Sequence, residues 1–241
     1  MLALVTGASR GVGAAIAGAL ADTHEVLLGG RDEAALRTRA AGLRAARPFV
    51  ADLTDHTATA AAVSGIDRLD VLVHSAGVAT LGAVADTSAE VWRTTMETNV
   101  IAVAELTRRL LPALRAARGH VVLVNSTAGL DAHPRCGAYA ASKFALRAFA
   151  DALRGEEPTL RVTSVYPGRV DTDMQRSIRA QEGLDYEPEN YLRPESVAAA
   201  VVSVVTATPD AHVQDVVVRA VPQRVRGTAP VRVVRHGDAR G

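Results

Sequence analysis

The sequence predicts an α/β fold, a doubly wound parallel sheet with helices on both faces. Three observations carry this reading. Short runs rich in valine and leucine alternate with segments of helical period nearly from end to end. The runs lack the polar alternation of a half-solvated strand, so each is expected to be buried on both faces, as parallel strands are. The first run leads through a glycine loop into a helix, the opening of a right-handed βαβ unit.

The elements follow in order. Leu2–Val5 is the first strand, and after the loop Val12–Ala21 is an amphipathic helix. Glu25–Leu28 is the second strand, followed by a helix over Glu33–Ala46. Phe49–Val50 is a short strand before Asp52, and His56–Ser64 a short helix. Val71–His74 is the fourth strand; Ser88–Ala117 is a long helix with Ser88 as its cap. His120–Asn125 is the fifth strand, Tyr139–Arg154 a helix and Arg161–Tyr166 the sixth strand. Asp173–Arg193, with mixed charges and weak periodicity, reads as a partly helical excursion over one edge. Pro194 precedes the helix Glu195–Thr206, and Val213–Val218 is the last strand. No linker, repeat or low-complexity run divides the chain. It reads as one domain over residues 1–220, with a substrate loop at 173–193 and a basic, solvated, flexible tail at 221–241.

Composition narrows the function classes. The 241 residues are 48% hydrophobic and 22% charged, enough to bury a core without disulfides or metals. A net charge of +1 gives no general attraction to nucleic acid or membrane surfaces. The single cysteine, Cys136, excludes a disulfide framework and a cysteine-rich zinc site. The seven histidines show no paired ligand spacing, so no metal is expected. The most apolar late stretch, Val197–Val205, is too short to span a bilayer, and the N-terminus lacks a targeting pattern, so a cytoplasmic location is expected. One imbalance stands out: Lys143 is the only lysine beside 26 arginines. Arginine serves on any solvated surface, but not where a compact ammonium is required. Chance retention and chemical need are equal explanations at this level.

The first strand runs into Thr6-Gly7-Ala8-Ser9-Arg10-Gly11-Val12-Gly13 and then a helix. Glycines at such a turn let the backbone approach a pyrophosphate, and the helix N-terminus adds free N–H donors. The GxxxGxG spacing differs from the commoner GxGxxG fingerprint and lacks the ending of a P-loop. Four further motifs follow: Asp52-Leu53; His74-Ser75-Ala76-Gly77; Asn125-Ser126 with Tyr139-Ala140-Ala141-Ser142-Lys143; and Pro167-Gly168 with Thr172. In this set and order the chain resembles the short-chain dehydrogenase/reductase family over residues 2 to about 220. The resemblance implies a seven-stranded parallel Rossmann sheet and a nicotinamide cofactor.

A carboxylate at the end of the second strand would hold the ribose 2′-OH of NAD. Here that place is Gly29-Gly30-Arg31, with no acid at Gly30, and Asp32 falls two residues late. Arg31 and Arg10 offer donor forks suited to a 2′-phosphate, so NADP(H) is the expected cofactor. The resemblance places Gly7, Ser9, Gly11, Val12 and Gly13 around the cofactor, with Asp52 and Leu53 at the adenine. Asp52 is equally readable as a turn or cap residue. His74-Ser75-Ala76-Gly77 stands where the family usually carries Asn-Asn-Ala-Gly; Ser75, Ala76 and Gly77 are expected at the cofactor, and His74 reads as a structural substitute. Pro167, Gly168, Val170 and Thr172 are expected at the nicotinamide end.

Tyr139 and Lys143 are four apart on a helical segment and share a face. A phenol with a pKa of about 10 needs a nearby cation to act as a base near neutrality. By resemblance, Tyr139 is the general acid/base, Lys143 supports it and binds the ribose, Ser126 positions the substrate oxygen, and Asn99 anchors a water in the proton relay. The implied activity is hydride transfer between NADP(H) and a small carbonyl compound or secondary alcohol. Two alternatives stay open: a 3-hydroxy-acid dehydrogenase similar to the serine/allo-threonine enzymes, and a non-catalytic NADP-binding regulator. Substrate identity is expected to lie in Leu130–Gly137 and 173–193, where Arg135, Arg176 and Arg179 are candidate anion contacts. The resemblance also implies a homodimer or homotetramer, with Trp92, Met96, Val103 and Phe144 suited to the interface or to the core.

Overall fold

A computed structural model describes residues 1–208 and 210–221. Its elements are β1 (Leu2–Thr6), α1 (Gly11–Leu20), β2 (Glu25–Gly30), α2 (Glu33–Ala41), β3 (Ala46–Val50), α3 (His56–Val63), β4 (Val71–His74), α4 (Ala89–Met96), α5 (Ala102–Ala117), β5 (His120–Val124), α6 (Gly137–Glu156), β6 (Arg161–Pro167), α7 (Asp173–Glu182), α8 (Pro194–Val205) and β7 (Asp215–Val218). The expected tail at 221–241 lies outside the described residues beyond Val221.

The seven strands form one parallel sheet in the order β3-β2-β1-β4-β5-β6-β7, a Rossmann-type doubly wound sheet. Strand residues alternate between two cores, as a period of two requires. Ala3, Val5, Val26, Leu28, Val71 and Val73 face α1 and α8. Leu4, Leu27, Leu72, Val121 and Val162 face the opposite layer, with Leu106, Leu110 and Leu114 of α5 and Leu146 of α6. Helices on both faces explain why these strands read as unbroken apolar runs.

Several element boundaries differ from the sequence expectation by one or two residues, the last strand among them, which begins at Asp215 and not Val213; the larger differences lie in the second helix, the third strand and the long helix. The second helix stops at Ala41, where the Gly42 N–H closes onto the Ala40 and Arg39 carbonyls. This frees Ala46–Val50 to pair with β2 from Val26↔Ala46 to Gly30↔Val50. The long helix is two helices joined by a π turn at Glu97–Ile101. Val103 belongs to the buried core rather than to a surface contact.

Candidate active site

The strand order reverses between β1 and β4, and the crevice outside the strand ends at such a reversal is where open α/β sheets bind ligands. Thr6 stitches this point together. Its hydroxyl accepts from the N–H groups of Ser75 and Ala76 at 3.0 and 3.1 Å. A cleft of about 730 Å3 opens there, running from the loop after β1 to α7.

The glycine loop forms one end. Gly7 has φ of 67°, and a Cβ on it would lie 2.9 Å from the backbone N and Cα of Ala76. A Cβ on Gly13 would lie 2.3 Å from the Gly7 carbonyl oxygen. The loop can therefore close against β4 and α1 only with glycines. Arg10 occupies the cap position of α1 without a side-chain cap, and no acid stands in the first turn, so the helix N-terminus meets the cleft with bare amides. That donor set, in a cradle kept open by missing Cβ atoms, fits a dinucleotide pyrophosphate.

Gly30, Arg31, Asp52 and Leu53 line the same end. Arg31 lies 3.7 Å from Asp52, and Arg10 lies 3.8 Å from Asp173, both pairs largely in solvent. These separations exceed hydrogen-bonding range, so both guanidinium forks keep donors for a ligand phosphate. The N–H and hydroxyl of Thr54 hold the Asp52 carboxyl below its usual range, with Arg31 adding to the effect. Asp32 instead caps α2, accepting from the Ala35 N–H at 3.0 Å.

Ser126, Tyr139 and Lys143 line the middle of the cleft. Lys143 projects from α6 and donates from Nζ to the Val124 carbonyl at 3.0 Å; its Nζ lies 5.7 Å from the centre of the Tyr139 ring. Burial lowers the Lys143 ammonium to a pKa of about 8. Burial raises the Tyr139 phenol, with the Ser126 hydroxyl pulling the other way, so the phenol is protonated at neutral pH. Ser126 accepts from the Ala128 N–H at 3.1 Å, which fixes its hydroxyl at the end of β5. Asn125 ties this loop to α6, donating from Nδ2 to the Lys143 carbonyl at 3.1 Å. Gly129 permits the approach: a Cβ there would lie 2.7 Å from Asn125 Oδ1.

Every catalytic and cofactor residue read from the sequence lines this cleft except Asn99, and of the candidate anion contacts Arg135, Arg176 and Arg179 none does. Asn99 is buried behind the wall in the π turn. Its Oδ1 accepts from the Val78 N–H, while Nδ2 donates to the Val78 carbonyl and to Ser142 Oγ, all at 2.9 to 3.0 Å. The side chain thus positions the loop after β4 against α6. His74 also stays out of the cleft: it is buried beside Thr107, 2.8 Å from its hydroxyl. Val170, Pro167, Gly168 and Thr172 reach the cleft from the end of β6, and Thr172 caps α7, its Oγ1 accepting from the Gln175 N–H at 3.3 Å.

Sequence reasoning missed several lining residues. Ala51, Val78 and Thr98 carry no signal beyond their neighbourhood to a motif. Met174, Ile178 and Glu182 could have been found from their i, i+4, i+8 spacing once α7 was placed over the edge. Among the described residues, no group of three or more His, Cys, Asp or Glu side chains is arranged to hold a metal ion. No helix among them is long and apolar enough to cross a membrane.

Comparison with known proteins gives concordant matches. The short chain dehydrogenase family matches residues 1–183. An uncharacterized short-chain type dehydrogenase/reductase of Sinorhizobium fredii is 38% identical over 207 residues, covering 82% of each chain. An alcohol dehydrogenase from the archaeon Thermococcus sibiricus, complexed with 5-hydroxy-NADP, superposes with a TM-score of 0.84 at 28% identity, covering 92% of this chain and 97% of that one. A 3-oxoacyl-[acyl-carrier protein] reductase from Brucella melitensis with bound NAD superposes with a TM-score of 0.78 at 28% identity, covering 90% of this chain and 89% of that one.

Proposed function

The chain belongs to the short-chain dehydrogenase family of oxidoreductases, and from that premise we propose that it transfers hydride between NADP(H) and a small carbonyl compound or secondary alcohol. The observation that carries this is the convergence of Ser126, Tyr139 and Lys143 midway along one cleft whose far end is the glycine cradle.

When bound, the nicotinamide cofactor supplies or accepts the hydride. Gly7, Ser9, Gly11, Val12 and Gly13 would hold its pyrophosphate, and Pro167, Gly168, Val170 and Thr172 its nicotinamide end. Arg10 and Arg31 favour a 2′-phosphate, and no acid at Gly30 competes for a ribose diol. The relatives span both cofactors, so the preference rests on these side chains. Tyr139, protonated at neutral pH, donates to the substrate carbonyl oxygen while Ser126 hydrogen-bonds the same oxygen. Lys143 brings a buried positive charge to the developing tyrosinate and stabilises it, since the loss of a proton there is favoured by a nearby cation. Asn99 acts at one remove, by fixing Val78 and Ser142. Assembly into a dimer or tetramer through the π turn and α6 is consistent with the exposure of Ile101 and Phe144.

A screen of NADPH oxidation over aldehydes, ketones, keto acids and keto esters tests the activity, with Tyr139→Phe as the control. The variant is expected to lose about 100-fold or more in turnover while binding NADPH within about threefold of wild type. Retention of most of the turnover by Tyr139→Phe would refute the assignment.

A further inference from the structure

The substrate end of the cleft is roofed by α7. Met174, Ile178 and Glu182 stand on one face of that helix and line the cleft, joined by Leu81 and Val170. The roof is held down by Gln181, whose Oε1 accepts from the Leu81 N–H at 2.9 Å, while its carbonyl accepts from Arg135 at 3.3 Å.

The charges at this end are already matched. Arg169 lines the cleft and donates both terminal nitrogens to Glu182, at 2.9 and 2.6 Å. Arg179 adds a second contact to Glu182 at 3.1 Å and also donates to the Asp185 carbonyl. Arg176 pairs with Asp171 at 3.3 Å and lies over the Tyr186 ring. Of the three arginines that the sequence offered as carboxylate receptors, Arg135, Arg176 and Arg179, none lines the cleft. The two guanidiniums hold the Glu182 carboxyl below its usual range, so it is ionised at neutral pH. A substrate carboxylate entering here meets a fixed carboxylate and a guanidinium already engaged by it. His133 is also in the wall.

Resting on the hydride-transfer reading above, we propose that the substrate is an uncharged carbonyl compound with an apolar body, and that Glu182 is the specificity determinant that excludes carboxylated substrates. The apolar stripe of Met174, Ile178 and Leu81 receives the body, and the Arg169–Glu182 pair closes the end with no free cation there among the described residues.

The experiment compares a 3-keto ester with the matching 3-keto acid, using the full chain and NADPH at pH 8. Wild type is expected to favour the ester by about 100-fold in kcat/KM, the scale set by like-charge juxtaposition. Glu182→Gln is expected to narrow that ratio at least about tenfold, by removing the repulsion and freeing Arg169. Ile178→Lys, which adds an ammonium on the same face and leaves the Arg169–Glu182 pair in place, is expected to narrow it too, so the outcome does not hinge on one variant folding. Equal efficiency with acid and ester in wild type, or a preference for the acid, would overturn this inference and leave the hydride-transfer reading standing. An unchanged ratio in both variants would overturn the assignment to Glu182. Absence of NADPH oxidation with every carbonyl tested would overturn the hydride-transfer reading, and the substrate class with it.

Discussion

Lys143 holds its ammonium 5.7 Å from the centre of the Tyr139 ring, one helical turn along α6, with the Val124 carbonyl as its hydrogen-bond partner and no carboxylate beside it among the described residues. A buried cation without a counter-charge destabilises the fold, and it is retained here in a chain that otherwise uses only arginine. An arginine is bulkier and effectively never deprotonates, so it could not occupy this place with the same chemistry.

The first prediction follows from that burial. The pKa of Lys143, about 8 in the folded chain, lies below the unfolded value of about 10.4. The unfolded state therefore binds more protons between these values, and this residue's contribution to stability rises as pH increases from about 8 to about 10.4. Below pH 8 the penalty is present in full, on the order of 3 kcal/mol. Lys143→Met is expected to be more stable than wild type at pH 7, to lose that advantage by pH 10.5, and to lose turnover. Denaturant melts at the two pH values measure this, and a less stable variant at pH 7 would contradict it.

Cofactor choice gives the second prediction. Removing the Arg31 fork by Arg31→Ala is expected to raise KM for NADPH about tenfold and leave KM for NADH within about twofold, the scale of one charge-assisted phosphate contact. Gly30→Asp tests the missing acid directly. The nearest atoms to a Cβ at Gly30 belong to the Leu36 side chain, at 3.4 Å and beyond, which is ordinary van der Waals contact, so the substitution fits. It is expected to lower KM for NADH and raise that for NADPH. Comparable KM values for both cofactors in wild type would remove the basis of the preference.

How much of this was legible depended on the kind of signal. The strands were readable because both sheet faces are covered, which leaves continuous apolar runs such as Val71–Val73 and Val121–Val124. The boundary at Ala41 was not, because the alanine-rich segment before Ala46 favours helix locally and only pairing with β2 draws it into the sheet. The π turn at Asn99 has no sequence mark at all: it inserts one residue into a helical period without breaking it. Tyr139, Lys143 and Ser126 were legible through spacing. The orientation of Asn99 was not, since a motif position fixes where a residue sits and not which way its amide is aimed. Glu182 escaped notice because its role depends on Arg169, thirteen residues earlier across a turn.

The third prediction concerns acid stability. His74 and His120 are buried, each with Nε2 2.8 Å from a threonine hydroxyl, and burial lowers both to a pKa of about 3. The Thr107 hydroxyl donates to the Val103 carbonyl, so it accepts from His74, whose Nε2 carries the proton. The folded pKa lies below the unfolded value of about 6.5, so stability is present above pH 6.5 and is lost as pH falls toward 3. Each histidine is expected to contribute a slope of about 1.4 kcal/mol per pH unit in that window. His74→Leu should flatten the acid limb by one histidine's share. An acid-unfolding profile with the same slope in the variant would be inconsistent with a neutral buried ring.

The last prediction uses an amide nitrogen that has no partner among the described residues. Gln175 is 5% exposed, it borders the cleft, and its Nε2 has no hydrogen-bond partner among the described residues. A buried donor left unpaired costs about 1–3 kcal/mol. Gln175→Met keeps the length of the side chain and removes that donor, so the variant is expected to melt higher than wild type without ligand. If a bound cofactor accepts from the amide, the same substitution must shrink the rise in melting temperature that NADPH produces, because binding stabilises only through contacts made in the folded state. The two effects have opposite signs, which separates a ligand contact from a packing role. A lower melting temperature for the free variant would show that the amide is satisfied within the fold; a higher one with an undiminished NADPH response would show that it is unpaired and faces no part of the cofactor.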